Sequence, residues 1–94
     1  MTAINENTLI NRKNNIPFKK LGKDLVILDL NTGDYFALNE VAGFIWERIN
    51  GKDSLGKIAQ KLDRVYNIKQ EPALKDTLTF AKLLMQNNLV AVKK

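Results

Sequence analysis

The 94-residue sequence contains no cysteine and no histidine. The first absence excludes disulfides, thiolate metal ligands and a thiol nucleophile. The second removes the commonest general base and the commonest transition-metal ligand together. Long apolar runs are missing too, and the ~20 residues needed to cross a bilayer are nowhere approached. Residues 1–15 hold no apolar core of the kind a signal peptide needs, so no membrane segment and a cytoplasmic location are expected. Ten carboxylates, fifteen basic residues and some hydroxyls remain for chemistry. Paired-carboxylate catalysis needs a deeper pocket than so small a domain offers. No enzyme activity is therefore expected, and no cofactor or metal. Asp29, Asp34, Glu40 and Glu47 lack the alternation that cages calcium. Gly33 stands alone, which is too little for a phosphate-cradling loop.

Charge is present but unevenly placed. The net charge is +5 and the pI near 9.6. Residues 1–23 carry five basic groups and one acidic, residues 24–50 one basic and five acidic, and residues 51–94 nine basic and four acidic. The middle of the chain is thus acidic between two basic flanks. A DNA reader concentrates positive charge on the element that enters the groove. Here Lys52, Lys57, Lys61, Arg64, Lys69, Lys75 and Lys82 are spaced singly, as on solvated helix faces. Nucleic-acid binding is the alternative reading, and no nucleic-acid partner is expected.

The first fifteen residues are polar and rich in asparagine, and they read as a flexible lead before a domain spanning residues 16–94. Pro17 opens an extended segment, Phe18 to Leu21, and Gly22-Lys23 turns the chain. Asp24 to Leu30 alternates with period two, with Leu25, Ile27 and Asp29 on one face and Val26, Leu28 and Leu30 on the other. Asn31 to Asp34 makes a tight turn at Gly33, and a third strand, Tyr35 to Leu38, follows. Asn39 is a good N-cap for a helix over Glu40 to Ile49, whose stripe is Leu38, Ala42, Ile45, Trp46 and Ile49. A second helix begins after Asp53 or Ser54 and ends at Asn67. A third starts near Pro72, runs to Asn87 or Asn88, and precedes a short final strand over Leu89 to Val92. Strands followed by helices argue for an α+β domain, with three helices on one face of a three-stranded antiparallel sheet.

Two features exceed what a core requires. In the third helix, Leu74, Leu78, Ala81 and Met85 already make a packing stripe, and Phe80, Leu83 and Leu84 widen it. The third strand, Tyr35-Phe36-Ala37-Leu38, carries no proline, lysine or bulge to protect a sheet edge. An extended peptide could pair with that edge and drop side chains onto the helix. Alternatively, the small core wraps more of the helix, and the N-terminal lead or Leu89 to Val92 covers the edge.

The segment VILDLNTGDYFALNEVAGFIWERINGKDSLGKIAQKL, with DTLTFAKLLMQNNLV from Asp76 to Val90, resembles the PqqD family of pyrroloquinoline quinone biosynthesis. The shared pattern is an apolar strand, a Thr-Gly turn, a Tyr-plus-aromatic strand, Leu-Asn before the first helix, Ile-Trp within it and Gly after it. The resemblance implies a winged helix-turn-helix-like domain that binds the leader of a ribosomally made precursor peptide. It would present that leader to a modifying enzyme, in a lasso peptide or other radical-enzyme pathway. The leader would add as a strand to Tyr35, Phe36, Ala37 and Leu38, with Asp34 at one end. Phe80, Leu83 and Leu84 would line the groove, with Lys75 or Lys82 at the rim, so the leader is expected to be acidic near the third helix. A monomer is expected, with a domain-swapped dimer as the alternative.

Overall fold

The structure, a computed structural model, describes residues 3–93. Met1 and Thr2 of the expected lead, and Lys94 of the expected domain, lie outside the described residues. The chain runs β1 (Ile10–Arg12), β2 (Phe18–Leu21), β3 (Asp24–Leu28), β4 (Tyr35–Leu38), α1 (Glu40–Arg48), α2 (Leu55–Tyr66), α3 (Gln70–Gln86) and β5 (Val90–Val92). The expected α+β arrangement is present: strands β2-β3-β4 form an antiparallel sheet, and three helices follow it.

Local chemistry explains where each element stops. β2 and β3 are joined by Gly22-Lys23, with Gly22 at φ +65°, the positive angle that a two-residue hairpin of this hand requires. β3 ends at Leu28, two residues before the expected Leu30, because Asp29 turns the chain. Its carboxylate accepts from the Asn31 N–H at 2.9 Å, and its carbonyl accepts from the Gly33 N–H at 2.8 Å. Gly33 sits at φ +81°. The Asn39 side chain accepts from the Ala42 N–H at 2.9 Å and starts α1, and Ser54 starts α2 by accepting from Lys57. Asn67, at φ +55°, closes α2 in the left-handed region.

The period-two reading of β3 holds: Leu25 and Ile27 are buried, and Val26 and Leu28 are half-buried on the outer face. Register puts Leu25 opposite Leu38 and Ile27 opposite Phe36, so β3 and β4 present an apolar inner face. Trp46, 0 % exposed, anchors the core beneath it, and the Phe18 ring meets it edge-on at 6.1 Å. The helices are layered rather than laid side by side on the sheet. α1 is the helix that packs on β3 and β4, α2 packs on α1 and α3, and α3 reaches β5.

The clearest departure from expectation lies in the first fifteen residues. Residues 10–12, expected within a flexible lead, form β1 and pair antiparallel with β5, Ile10 against Val92. Ile10 is 1 % exposed. The segment before β1 is tied to α2: the Leu55 N–H donates to the Thr8 carbonyl at 2.9 Å, and the Gly56 N–H to the Glu6 carbonyl at 2.8 Å. Those are first-turn amides that have no partner within the helix. Consequently the N-terminal segment and β5 pair with each other and leave β4 uncovered.

Gly51 joins this second sheet to the helices. Its N–H donates to the Ile10 carbonyl at 3.0 Å, its φ is +74°, and an added Cβ would collide with the Asn11 side chain. A left-handed backbone alone costs a β-carbon-bearing residue about 1–2 kcal/mol. Gly51→Ala should therefore lower stability in urea by about 2 kcal/mol, and Gly22→Ala, where nothing lies near, by less. Equal losses at the two positions would remove the Asn11 collision from the explanation.

Candidate functional site

The two edges of the three-stranded sheet differ in chemistry. On β2, Lys19 and Lys20 stand exposed just after Pro17, the residues that discourage a second strand from pairing. On β4 there is no such guard. Tyr35 is 73 % exposed, and Tyr35 and Ala37 face outward while Phe36 and Leu38 turn toward the core. Every second residue of an antiparallel edge directs its N–H and C=O away from the sheet. β4 therefore offers a short ladder with no partner among the described residues.

A cleft of about 370 Å³ opens at the end of this strand. Asn39, Val41, Ala42 and Ile45 of the β4–α1 segment line one side, and Ile68, Asp76 and Phe80 the other. Its walls are mainly aliphatic and aromatic, in the size range of a ligand pocket. Two other hollows are polar. One of about 400 Å³ lies between Glu6, Asn7 and the start of α2. One of about 210 Å³ is ringed by Lys20, Lys23, Glu40, Glu47 and Arg48. A further hollow of about 290 Å³ is apolar but lies along the lysine-bearing β2 edge, lined by Phe18, Leu21, Val26 and Leu28. The cleft at the end of β4 pairs an apolar floor with an edge that carries no such guard.

The sequence-derived residues divide across this geometry. Tyr35, Phe36, Ala37 and Leu38 form the edge, with Asp34 exposed at its start. Phe80 lines the cleft. At about 100° per residue, Leu83 lies some 60° round α3 from Phe80, on the side of Asp76, and is 53 % exposed. Leu84 is only 2 % exposed, belongs to the core and does not line the cleft. Lys75 and Lys82 are exposed but sit about 140° and 160° round the helix from Phe80, on its far side. The charged group at the cleft is Asp76, which the sequence reading did not select. Val41, Ala42, Ile45, Ile68 and Asn39 were also missed as liners. A signal existed in Val41, an apolar residue beside the stripe, and in Ala42, the one small residue on that stripe.

The buried face of α3 is Ala73, Thr77, Ala81 and Leu84, and these mostly small residues let α2 approach. The Thr77 hydroxyl is satisfied by donating to the Ala73 carbonyl at 2.8 Å. Among the described residues two groups titrate away from their ordinary values, Asp53 and Tyr66, and neither lines the cleft. Asp53 is held below the usual carboxylate range, first by its hydrogen bond with Lys61 at 3.0 Å and then by Asn50. Partial burial pushes the Tyr66 hydroxyl up, aided by the Glu40 carboxylate beside it. Among the described residues no group of three or more acidic side chains could hold a metal ion. None of their helices is long and apolar enough to cross a membrane.

The family model for coenzyme PQQ synthesis protein D (PqqD) matches residues 24–90. Curated proteins yield no match. Among solved structures, the chain is similar to TbiB1 in complex with the TbiA(beta) leader peptide, at 21 % identity and a TM-score of 0.77, covering 85 % of this chain and 93 % of that one. A lasso peptide synthetase B1 complexed with the leader peptide is 24 % identical, TM-score 0.77, covering 87 % and 96 %. The solution structure of the PqqD truncation of Methylobacterium extorquens PqqCD, a stand-alone RiPP recognition element, is 18 % identical, TM-score 0.80, covering 96 % of each chain. At these identities the likeness is one of fold, and it agrees with the three-stranded sheet and three helices described above.

Proposed function

We propose, because the chain belongs to the PqqD family over residues 24–90, that it is a non-catalytic recognition element for the leader of a ribosomally made precursor peptide. The leader adds as a strand along β4, enters the cleft between α1 and α3, and is presented to a peptide-modifying enzyme. A lasso peptide pathway is the favoured setting, since two similar solved structures hold leader peptides and one of these is named a lasso peptide synthetase. The protein acts in the cytoplasm as a monomer. The observation that carries this reading is the asymmetry of the sheet. One edge is guarded by Lys19, Lys20 and Pro17, and the other is bare and leads into an apolar cleft. Strand addition supplies affinity through the backbone, and the cleft supplies selectivity through side chains.

Amide exchange of the full chain, with and without a synthetic leader from the precursor gene beside its own, tests the mode. Binding should slow exchange within Tyr35 to Leu38 and leave β2 unchanged. Protection confined to β2 or α2 would overturn strand addition at β4. Salt-steep, sub-micromolar binding of duplex DNA under the same conditions would favour the nucleic-acid alternative.

A further inference from the structure

Among the described residues, Asp76 is the one charged side chain lining the cleft. Among the described residues the ion pairs are Lys20–Glu47 and Lys61–Asp53, so the Asp76 carboxylate is engaged by neither. Lys69, at the start of α3, lies seven residues and about 10 Å back along the helix axis. Lys75 and Lys82 point from the far side. Across the cleft, the start of α1 offers little to an anion: Asn39 already accepts from the Ala42 N–H, and Glu40 adds negative charge to the first turn. Asp76 is itself exposed, and the other residues of this wall, Val41, Ala42, Ile45, Ile68 and Phe80, bring no charge that competes with its carboxylate.

We infer that the cleft selects a cationic side chain, an arginine or lysine of the bound peptide. The aliphatic stem lies against Val41, Ile45 and Ile68, the charged head meets Asp76, and the Phe80 ring supports a guanidinium face-on. An amphipathic side chain of that kind matches both properties of the cleft, where a wholly apolar one would leave Asp76 without a counter-charge. The inference rests on the cleft being the peptide site. It reverses the charge expected from the sequence, where Lys75 or Lys82 at the rim implied an acidic leader segment.

The test is selection from a phage-displayed library of random dodecapeptides on the immobilised full chain, the Asp76→Asn and Asp76→Lys variants, and Ala42→Phe. The wild type should enrich arginine or lysine at a fixed spacing from an apolar position. Asp76→Asn should keep the apolar preference and lose the basic one, and Asp76→Lys should enrich aspartate or glutamate there. In a synthetic peptide from the wild-type selection, replacing the basic residue by alanine should weaken binding at least tenfold to the wild type and little to Asp76→Asn. Unchanged thermal melting of the Asp76 variants would show that the fold is not what moved. Apolar enrichment with no basic preference, identical in wild type and Asp76→Asn, overturns the cation subsite and leaves peptide binding in the cleft standing. Failure to enrich any peptide, or the same peptides emerging from Ala42→Phe, removes the cleft reading and this inference with it.

Discussion

Deleting residues 1–13 should cost the domain more stability than any single substitution at its surface, and a large share of the total. Ile10 is 1 % exposed, and removing a buried isoleucine side chain costs about 2–5 kcal/mol. The deletion also strips β5 of the strand it pairs with, β1. The Gly51, Leu55 and Gly56 N–H groups lose the carbonyls of Ile10, Thr8 and Glu6. Against a typical total of about 5–15 kcal/mol, a loss of this size approaches global unfolding. Urea denaturation followed by tryptophan fluorescence is the measurement, since Trp46 lies in the core. Ile10→Ala should reproduce about 2–5 kcal/mol of the effect, and Asn14→Ala, at an exposed position, should fall within about 0.5 kcal/mol of wild type. An unchanged midpoint after the deletion would mean that β1 contributes no stability.

That expectation turns on the part of the fold the sequence concealed. The hairpin and the first two helices were legible because their signals are local: Gly22 and Gly33 where positive φ is needed, Asn39 and Ser54 as caps, and apolar spacing that phases each helix. β1 has no local signal. Its three residues contain one buried side chain, and its partner β5 lies far along the chain, with Ile10 paired to Val92, 82 residues on. α3 hid its orientation for a different reason. Apolar residues at positions 74, 78, 80, 81, 83, 84 and 85 spread over about 220° of it, so periodicity alone does not fix which part is buried. The structure chooses the side bearing the small residues Ala73, Thr77 and Ala81, because α2 packs closest there. That rotation drives Leu84 inward, leaves Leu83 out, brings Asp76 to the cleft and sends Lys75 and Lys82 away from it. The edge strand was readable from composition; the groove beside it depended on a helix phase only packing could set.

Filling the cleft should abolish peptide binding without touching the β4 edge. Ala42 is half-buried on α1 and lines the cleft opposite Phe80. Ala42→Phe places a ring in the space a peptide side chain would occupy and removes no existing contact. Because Ala42 is partly exposed toward an open cleft of about 370 Å³, the ring has room and the overpacking cost stays below the ~1–3 kcal/mol typical of a closed core. Affinity for the leader should fall by more than about 2 kcal/mol, or thirtyfold, the loss expected when a central anchor is excluded. Leu83→Asp, farther out on α3, should cost about 1.4 kcal/mol, or tenfold. Isothermal titration of folded variants distinguishes cleft from edge. If Ala42→Phe binds as wild type while β4 amides are still protected, the backbone edge alone holds the peptide, and selectivity must come from Tyr35 and Ala37 on the outer face. If both variants lose affinity in that order, the peptide's anchor lies in the cleft, deepest against α1, and the strand edge serves chiefly to align it.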